Sequence, residues 1–307
     1  MRRRRAYRVA LWCAGWAVLC AGCRRTAPPA PRPGPATKAA TKPSTGKRPG
    51  PGGRARRRDY QAIHVFVALC DNQHQGIAPV PKALGNGQDP NSNLYWGAMY
   101  GVKTFLATSP HWRRVSSGDL AVARDDYGAI LDTVVFESTA TGAKTYVLAE
   151  AFDGARMDVA LREFFEAAAG RLSCVAVWGS GPRRVVVLAG GAADMVCFVG
   201  HNGLMDGKPE HLPSKAPGAS PSCAVVLACK SRQYFTDPLR RAGCPPLITT
   251  TGLMAPEAYT LEAIVRSWAA GEPTTTIHLR AAEAYAKYQK CSLPAAKRLF
   301  AVGGEAR

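Results

Sequence analysis

Two short, continuous apolar runs constrain this chain more than any other feature. Residues 193–203 read Ala-Asp-Met-Val-Cys-Phe-Val-Gly-His-Asn-Gly, and residues 222–231 read Ser-Cys-Ala-Val-Val-Leu-Ala-Cys-Lys-Ser. Neither alternates polar with apolar side chains, so each suits a strand covered on both faces, as in a parallel sheet. The first run is followed at once by His201 and the second by Cys229. In an open sheet, residues just past the carboxyl ends of neighbouring strands converge in one crevice, so a base and a thiol are expected to meet there.

Residues 63–71 form a third continuous apolar run and predict a central strand. A long polar loop follows, with Asp71 and His74 at the strand's end, where binding groups commonly sit. The spacing of Leu94, Ala98, Val102 and Phe105 predicts a helix over 93–109, stopped by Pro110. Strands are expected at 133–137 and 145–151 with a turn at Thr141-Gly142, and a helix at 157–169. Of the runs 175–178 and 185–188, one reads as a strand and the other as its hairpin partner. Further helices are expected at 234–242, 256–270 and 279–290, with a strand at 247–251. Strands alternating with helices at this spacing argue for a three-layer αβα sandwich around a mostly parallel sheet.

The formal charge of +18 suggests a nucleic-acid partner until it is located. Residues 1–58 hold 16 of the 40 Lys and Arg and no acid, leaving 24 basic against 22 acidic residues in the remainder. A nearly neutral remainder lacks the basic surface that phosphate binding needs, so nucleic acid is excluded as the main partner. The basic residues serve the N-terminus instead. Arg2 to Arg5 and Arg8 precede an apolar stretch at 9–20 that is too short to span a bilayer comfortably, which is the pattern of a secretory signal. Its end, Leu19-Cys-Ala-Gly-Cys23, resembles a bacterial lipoprotein signal. That resemblance implies lipidation of Cys23 and a membrane-anchored protein in the bacterial cell envelope, facing the periplasm or exterior. Residues 24–58, rich in Pro, Gly, Ala, Thr and basic side chains, read as a disordered tether, and 59–307 as the folded domain.

A free Cys is mostly protonated at neutral pH, and a neighbouring imidazole or helix N-terminus makes it a nucleophile. Cys229 lies at a predicted strand-to-helix transition, and His201 lies in a Gly-flanked turn. On these two blocks, Gly200-His-Asn-Gly203 and Ala228-Cys-Lys-Ser231, the chain resembles the caspase-like cysteine peptidases, the group of caspases, legumains, gingipains and separases. In that group one apolar strand ends in His-Gly and the next in Ala-Cys. The resemblance implies a catalytic dyad of His201 and Cys229, a thioacyl intermediate and a peptide or protein substrate. It also implies that Asn202 and Gly203 flank an oxyanion hole. Here Asn202 stands where the group has Gly. Asp71, His74 and residues 249–251 fall where that group builds its substrate pockets. If Asp71 faces the pocket, a basic side chain is the natural substrate group.

No cofactor is expected. No Cys or His pair has metal-ligand spacing, Gly179-Ser180-Gly181 lacks the surroundings of a serine nucleophile elbow, and Gly190-Gly191 is too little for a phosphate loop. The alternative to an enzyme is an inactive lipoprotein of the same fold that binds a partner in the same crevice.

Overall fold

The computed structural model describes residues 58–116, 118–124, 128–207, 211–220 and 222–303. The signal-like segment with Cys23, and the tether as far as residue 57, lie outside the described residues. Arg58, expected to be the last residue of the tether, is held to the domain by an ion pair with Asp194 at 3.0 Å. Among the described residues no helix is long and apolar enough to cross a membrane.

Three continuous apolar runs form the middle of the molecule. They are β1 (Tyr60–Ala68), β8 (Met195–Val199) and β9 (Cys223–Leu227), and every side chain of β8 is buried. β1 pairs in parallel with β8 and with β5 (Lys144–Phe152), and β9 pairs in parallel with β8 and with β10 (Pro246–Thr250). Three strands close the edges antiparallel: β4 (Ile130–Ser138) on β5, β2 (Trp112–Arg114) on β4, and β11 (Phe300–Val302) on β10. The resulting sheet has the order β11-β10-β9-β8-β1-β5-β4-β2.

Successive side chains of a strand point to opposite faces, and the core divides accordingly. Phe66, Phe198 and Val226 face α2 (Met157–Ala168) and α3 (Ser231–Arg241), where Phe164 meets the rings of Phe66, Phe165, Phe198 and Phe235. Val65, Val67, Val199 and Leu227 face α1 (Val102–Thr108), α4 (Ala258–Ala269) and α5 (Thr274–Gln289). The molecule is therefore a three-layer αβα sandwich with a mostly parallel central sheet. Leu261, Ile264 and Val265 carry the buried stripe of α4, as their spacing predicts.

The departures from expectation have local causes. The helix expected over 93–109 is α only from Val102. Residues before it are folded into a loop around Asn93, whose carboxamide bonds the N–H and C=O of Cys70 at 3.1 and 2.8 Å. A Cβ at Gly97 would stand 2.1 Å from the Asn91 carbonyl oxygen, so this tight winding excludes a regular helix with side chains. The runs near 175 and 185 form the expected hairpin, β6 (Ser173–Trp178) with β7 (Val185–Gly190), but together with β3 (Ala121–Arg124) they make a separate antiparallel sheet. The last helix starts earlier than expected, at Thr274, and is followed by α6 (Leu293–Leu299), capped by the Ser292 hydroxyl, and then by β11.

At the end of β8 the chain has to turn beside the end of β1. Gly200 does so at φ +149°, and a Cβ there would stand 2.7 Å from the Ala68 carbonyl oxygen. Gly200→Ala is expected to destabilise the fold by about 1–3 kcal/mol, through strain that L side chains carry in this region. Urea titration checks this, and an unchanged midpoint would show that the turn relaxes freely.

Candidate functional site

The β8–β9 ladder pairs Val199 with Leu227. His201 and Cys229 each follow two residues later, so they stand level at the carboxyl ends of adjacent parallel strands. A hydrogen bond crosses between the two ends: the Asn202 carboxamide Nδ2 donates to the Cys229 carbonyl oxygen at 2.6 Å. Asn202 is fully buried, so the residue that interrupts the expected His-Gly pattern serves as the clamp between the two strand ends.

His201 is 8% exposed, and its Nε2 lies 2.6 Å from Oδ2 of Asp206. Between them a short 3-10 turn, Gly203–Met205, brings the chain round. The Gly203 N–H donates to the His201 carbonyl oxygen at 3.1 Å and is thereby committed. Among the described residues no acceptor meets the backbone N–H of Asn202 or of Cys229. Asn202 is fully buried, so of these two N–H groups it is that of the partly exposed Cys229 that is left for a ligand oxygen.

Cys229 sits in a sharp turn between β9 and α3. Lys230 adopts the left-handed conformation at φ +50°, and its N–H donates to the Gly252 carbonyl at 2.8 Å. Behind the turn, Ser231 Oγ donates to the Val226 carbonyl at 2.9 Å and accepts from the Thr250 N–H at 2.9 Å, and the Thr250 hydroxyl reaches the Ala228 carbonyl. Thr249 and Thr250 are buried, so this part of the expected pocket supports the Cys229 turn from within, while the Thr251 hydroxyl bonds the Arg298 carbonyl at 2.7 Å.

The thiol itself lies half-buried against Met254. Met254 N–H donates to Sγ at 3.4 Å, and Sγ lies 3.6 Å from the Met254 carbonyl oxygen. No hydrogen bond joins Sγ to the His201 ring among the described residues. Apo sites commonly show such looseness and tighten on binding. Nearby hydroxyls are neutral: burial pushes Tyr95 and Tyr285 above the ordinary tyrosine range. Burial also raises the Glu257 carboxyl, against hydrogen bonds from Tyr259 and Gln289 that lower it.

Five other thiols are governed by burial. Burial pushes Cys70 and Cys244 up to about 11, Cys174 and Cys223 up to about 12, and Cys197 well above the ordinary value. These are packing residues, held as thiols.

Asp71 and His74 occupy the loop after β1, as expected, but they are spent on each other and on that loop. Asp71 Oδ1 accepts from the N–H groups of Gln73 and His74 at 2.8 and 3.1 Å, and Oδ2 from His74 Nδ1 and Gln88 Nε2, each at 2.9 Å. Burial raises this carboxyl, but the four donors outweigh it and leave it below the ordinary range. A carboxylate so fully bonded is a lock on its loop, and it offers no lone pair to a basic substrate group. The same loop reaches the His201 side of the site, since a Cβ at Gly76 would stand 3.1 Å from Asp206 Oδ1.

Comparison with family models, with curated proteins and with solved structures finds no match to this chain. The function has to be argued from the site.

Two further places could hold a ligand. The fold brings His64, Glu150 and Cys174 within 4.8 Å of one another, a grouping that no local spacing announces. The residues do not suit a metal ion. Gly190 N–H donates to His64 Nδ1 at 3.1 Å, so the ring carries its proton on Nε2 and donates it to Glu150 at 2.9 Å. The cation in this cluster is Arg124 of β3, which bridges Glu150 of β5 and Glu163 of α2. The cluster is a buried ionic joint between the small sheet and the main sandwich. At the opposite end of the large sheet, a cavity of about 810 Å³ opens between the β4–β5 turn and helices α4 and α5. Trp112, Thr139, Arg266 and Lys287 line it, and no residue of the His201–Cys229 group does.

Proposed function

We propose that this domain is a caspase-like cysteine peptidase, carried on a lipid anchor at Cys23 in the bacterial cell envelope. The observation that carries the reading is the level placement of His201 and Cys229 past two paired parallel strands, tied together by Asn202. In this reading His201 takes the Cys229 proton as Sγ bonds to the carbonyl carbon of a peptide. The carbonyl electrons move to oxygen, which the N–H group of Cys229 receives. Collapse of that intermediate breaks the C–N bond, and the departing amine takes the proton from His201. Water then hydrolyses the thioester, giving up a proton to His201 and regenerating the thiol.

A second reading is favoured by one contact. The backbone of Met254 clasps Sγ, and a thiol kept there belongs to an inactive lipoprotein that uses the same crevice to bind a partner. The two readings separate when the protein is incubated with a mixture of denatured proteins and new N-termini are identified by mass spectrometry. The peptidase reading predicts new termini that are absent with Cys229→Ala. Identical termini with both proteins, or none with either, would contradict it.

A further inference from the structure

The geometry points to Asp206 as a positioning residue that turns the His201–Cys229 pair into a Cys–His–Asp relay; the catalytic part of this inference rests on the peptidase reading above. An imidazole that serves a thiol has to offer an unprotonated nitrogen to it, and the other nitrogen decides which one that is. In this site the decision is visible. Asp206 Oδ2 lies 2.6 Å from Nε2, so the proton of the neutral ring belongs on Nε2 and the lone pair on Nδ1 is the one left for Cys229.

Three features make the contact more than a surface pairing. His201 is buried to all but 8%, so its ring cannot exchange this carboxylate for bulk water at low cost. The 3-10 turn Gly203–Met205 carries Asp206 back to the ring with its N–H bonded to the Gly203 carbonyl at 3.2 Å. On its far side the carboxylate is backed by Gly76 of the loop that Asp71 locks. The loop after β1 is thereby connected to the ring through Asp206, which gives Asp71 and His74 an indirect role in place of a substrate contact.

The contact is also partly open, with the Asp206 side chain 46% exposed. Water screens it, so its loss should cost less than the roughly 10⁴-fold drop seen when a buried triad carboxylate is replaced. We expect about 10–100-fold.

Two measurements on the full chain test this. The first reads the ring directly: ¹⁵N shifts of His201 should report the Nε2–H tautomer in the native protein and a mixture in Asp206→Ala, with Asp206→Glu restoring the native pattern. This arm needs no substrate. The second reads turnover on a peptide that the native protein cleaves: Asp206→Ala should lower kcat by that factor with KM unchanged, and Asp206→Glu should recover part of it. A His201 tautomer that is the same in native and Asp206→Ala protein, or a kcat within about twofold of native, would overturn the assignment. Failure of the peptidase reading looks different, because Cys229→Ala would then match the native protein while the tautomer still responded to Asp206.

Discussion

Cys229→Ala is expected to abolish peptide cleavage, lowering kcat by at least about 10³-fold, with melting behaviour unchanged. The size follows from the chemistry, because without the thiol no thioacyl intermediate forms, and only binding and the strand-end N–H of residue 229 remain to assist water. Stability should hold because Cys229 is half-buried in a turn maintained by others: Ser231, Thr250 and the Lys230 N–H carry its hydrogen bonds. Steady-state assays of native and variant protein at matched concentration check the first part, and a thermal melt checks the second. A variant that cleaves at more than a tenth of the native rate would remove Cys229 from the chemistry.

The second large effect concerns the fold. Arg124 is 4% exposed and bridges Glu150 and Glu163, each 1% exposed at the side chain. Burial lowers the guanidinium's proton affinity, but the two carboxylates outweigh it and raise the affinity above the ordinary value. Arg124→Ala leaves two buried carboxylates without their cation, a change that costs about 3–5 kcal/mol in comparable buried pairs. For a domain of this size that is a fall in Tm of about 6–20 °C. Combining Arg124→Met with Glu150→Gln and Glu163→Gln should recover much of the loss, because the charge is removed with its partner. A Tm within about 2 °C of native in Arg124→Ala would mean that the joint is not ionic in solution.

How much of this was legible in the sequence depended on how local the signal was. The centre of the sheet could be read because β1, β8 and β9 are continuous apolar runs, and strands buried on both faces leave no other pattern. His201 and Cys229 followed, since each comes directly after such a run. Asp206 did not, because an Asp-Gly pair in a polar, Pro-rich stretch carries only a turn signal, and its distance to the ring is set by a 3-10 turn that has no apolar periodicity. Asp71 and His74 were legible in place but not in role. Their chemistry suits a pocket equally well, and only the fold shows the four donors on that one carboxylate. The helix expected over 93–109 failed in its first half because glycines at 97 and 101 close-pack against backbone, a tertiary demand that an apolar stripe does not reveal. β3 is four residues long and half-exposed, too short to announce either a second sheet or the buried arginine at its end.

Asn202 also changes meaning between the two levels. In sequence it breaks a His-Gly pattern; in the fold its side chain fastens the strand end that carries His201 to the one that carries Cys229.

The central claim, that His201 acts on Cys229, is tested most directly by the rate at which each thiol reacts with iodoacetamide at neutral pH, followed site by site by mass spectrometry in native and His201→Ala protein. Cys291, also partly exposed, is the internal reference. The account predicts that Cys229 is alkylated at least about tenfold faster than Cys291 in the native protein, and that the advantage disappears in His201→Ala. Equal rates at the two thiols, unaltered by loss of the imidazole, would contradict it.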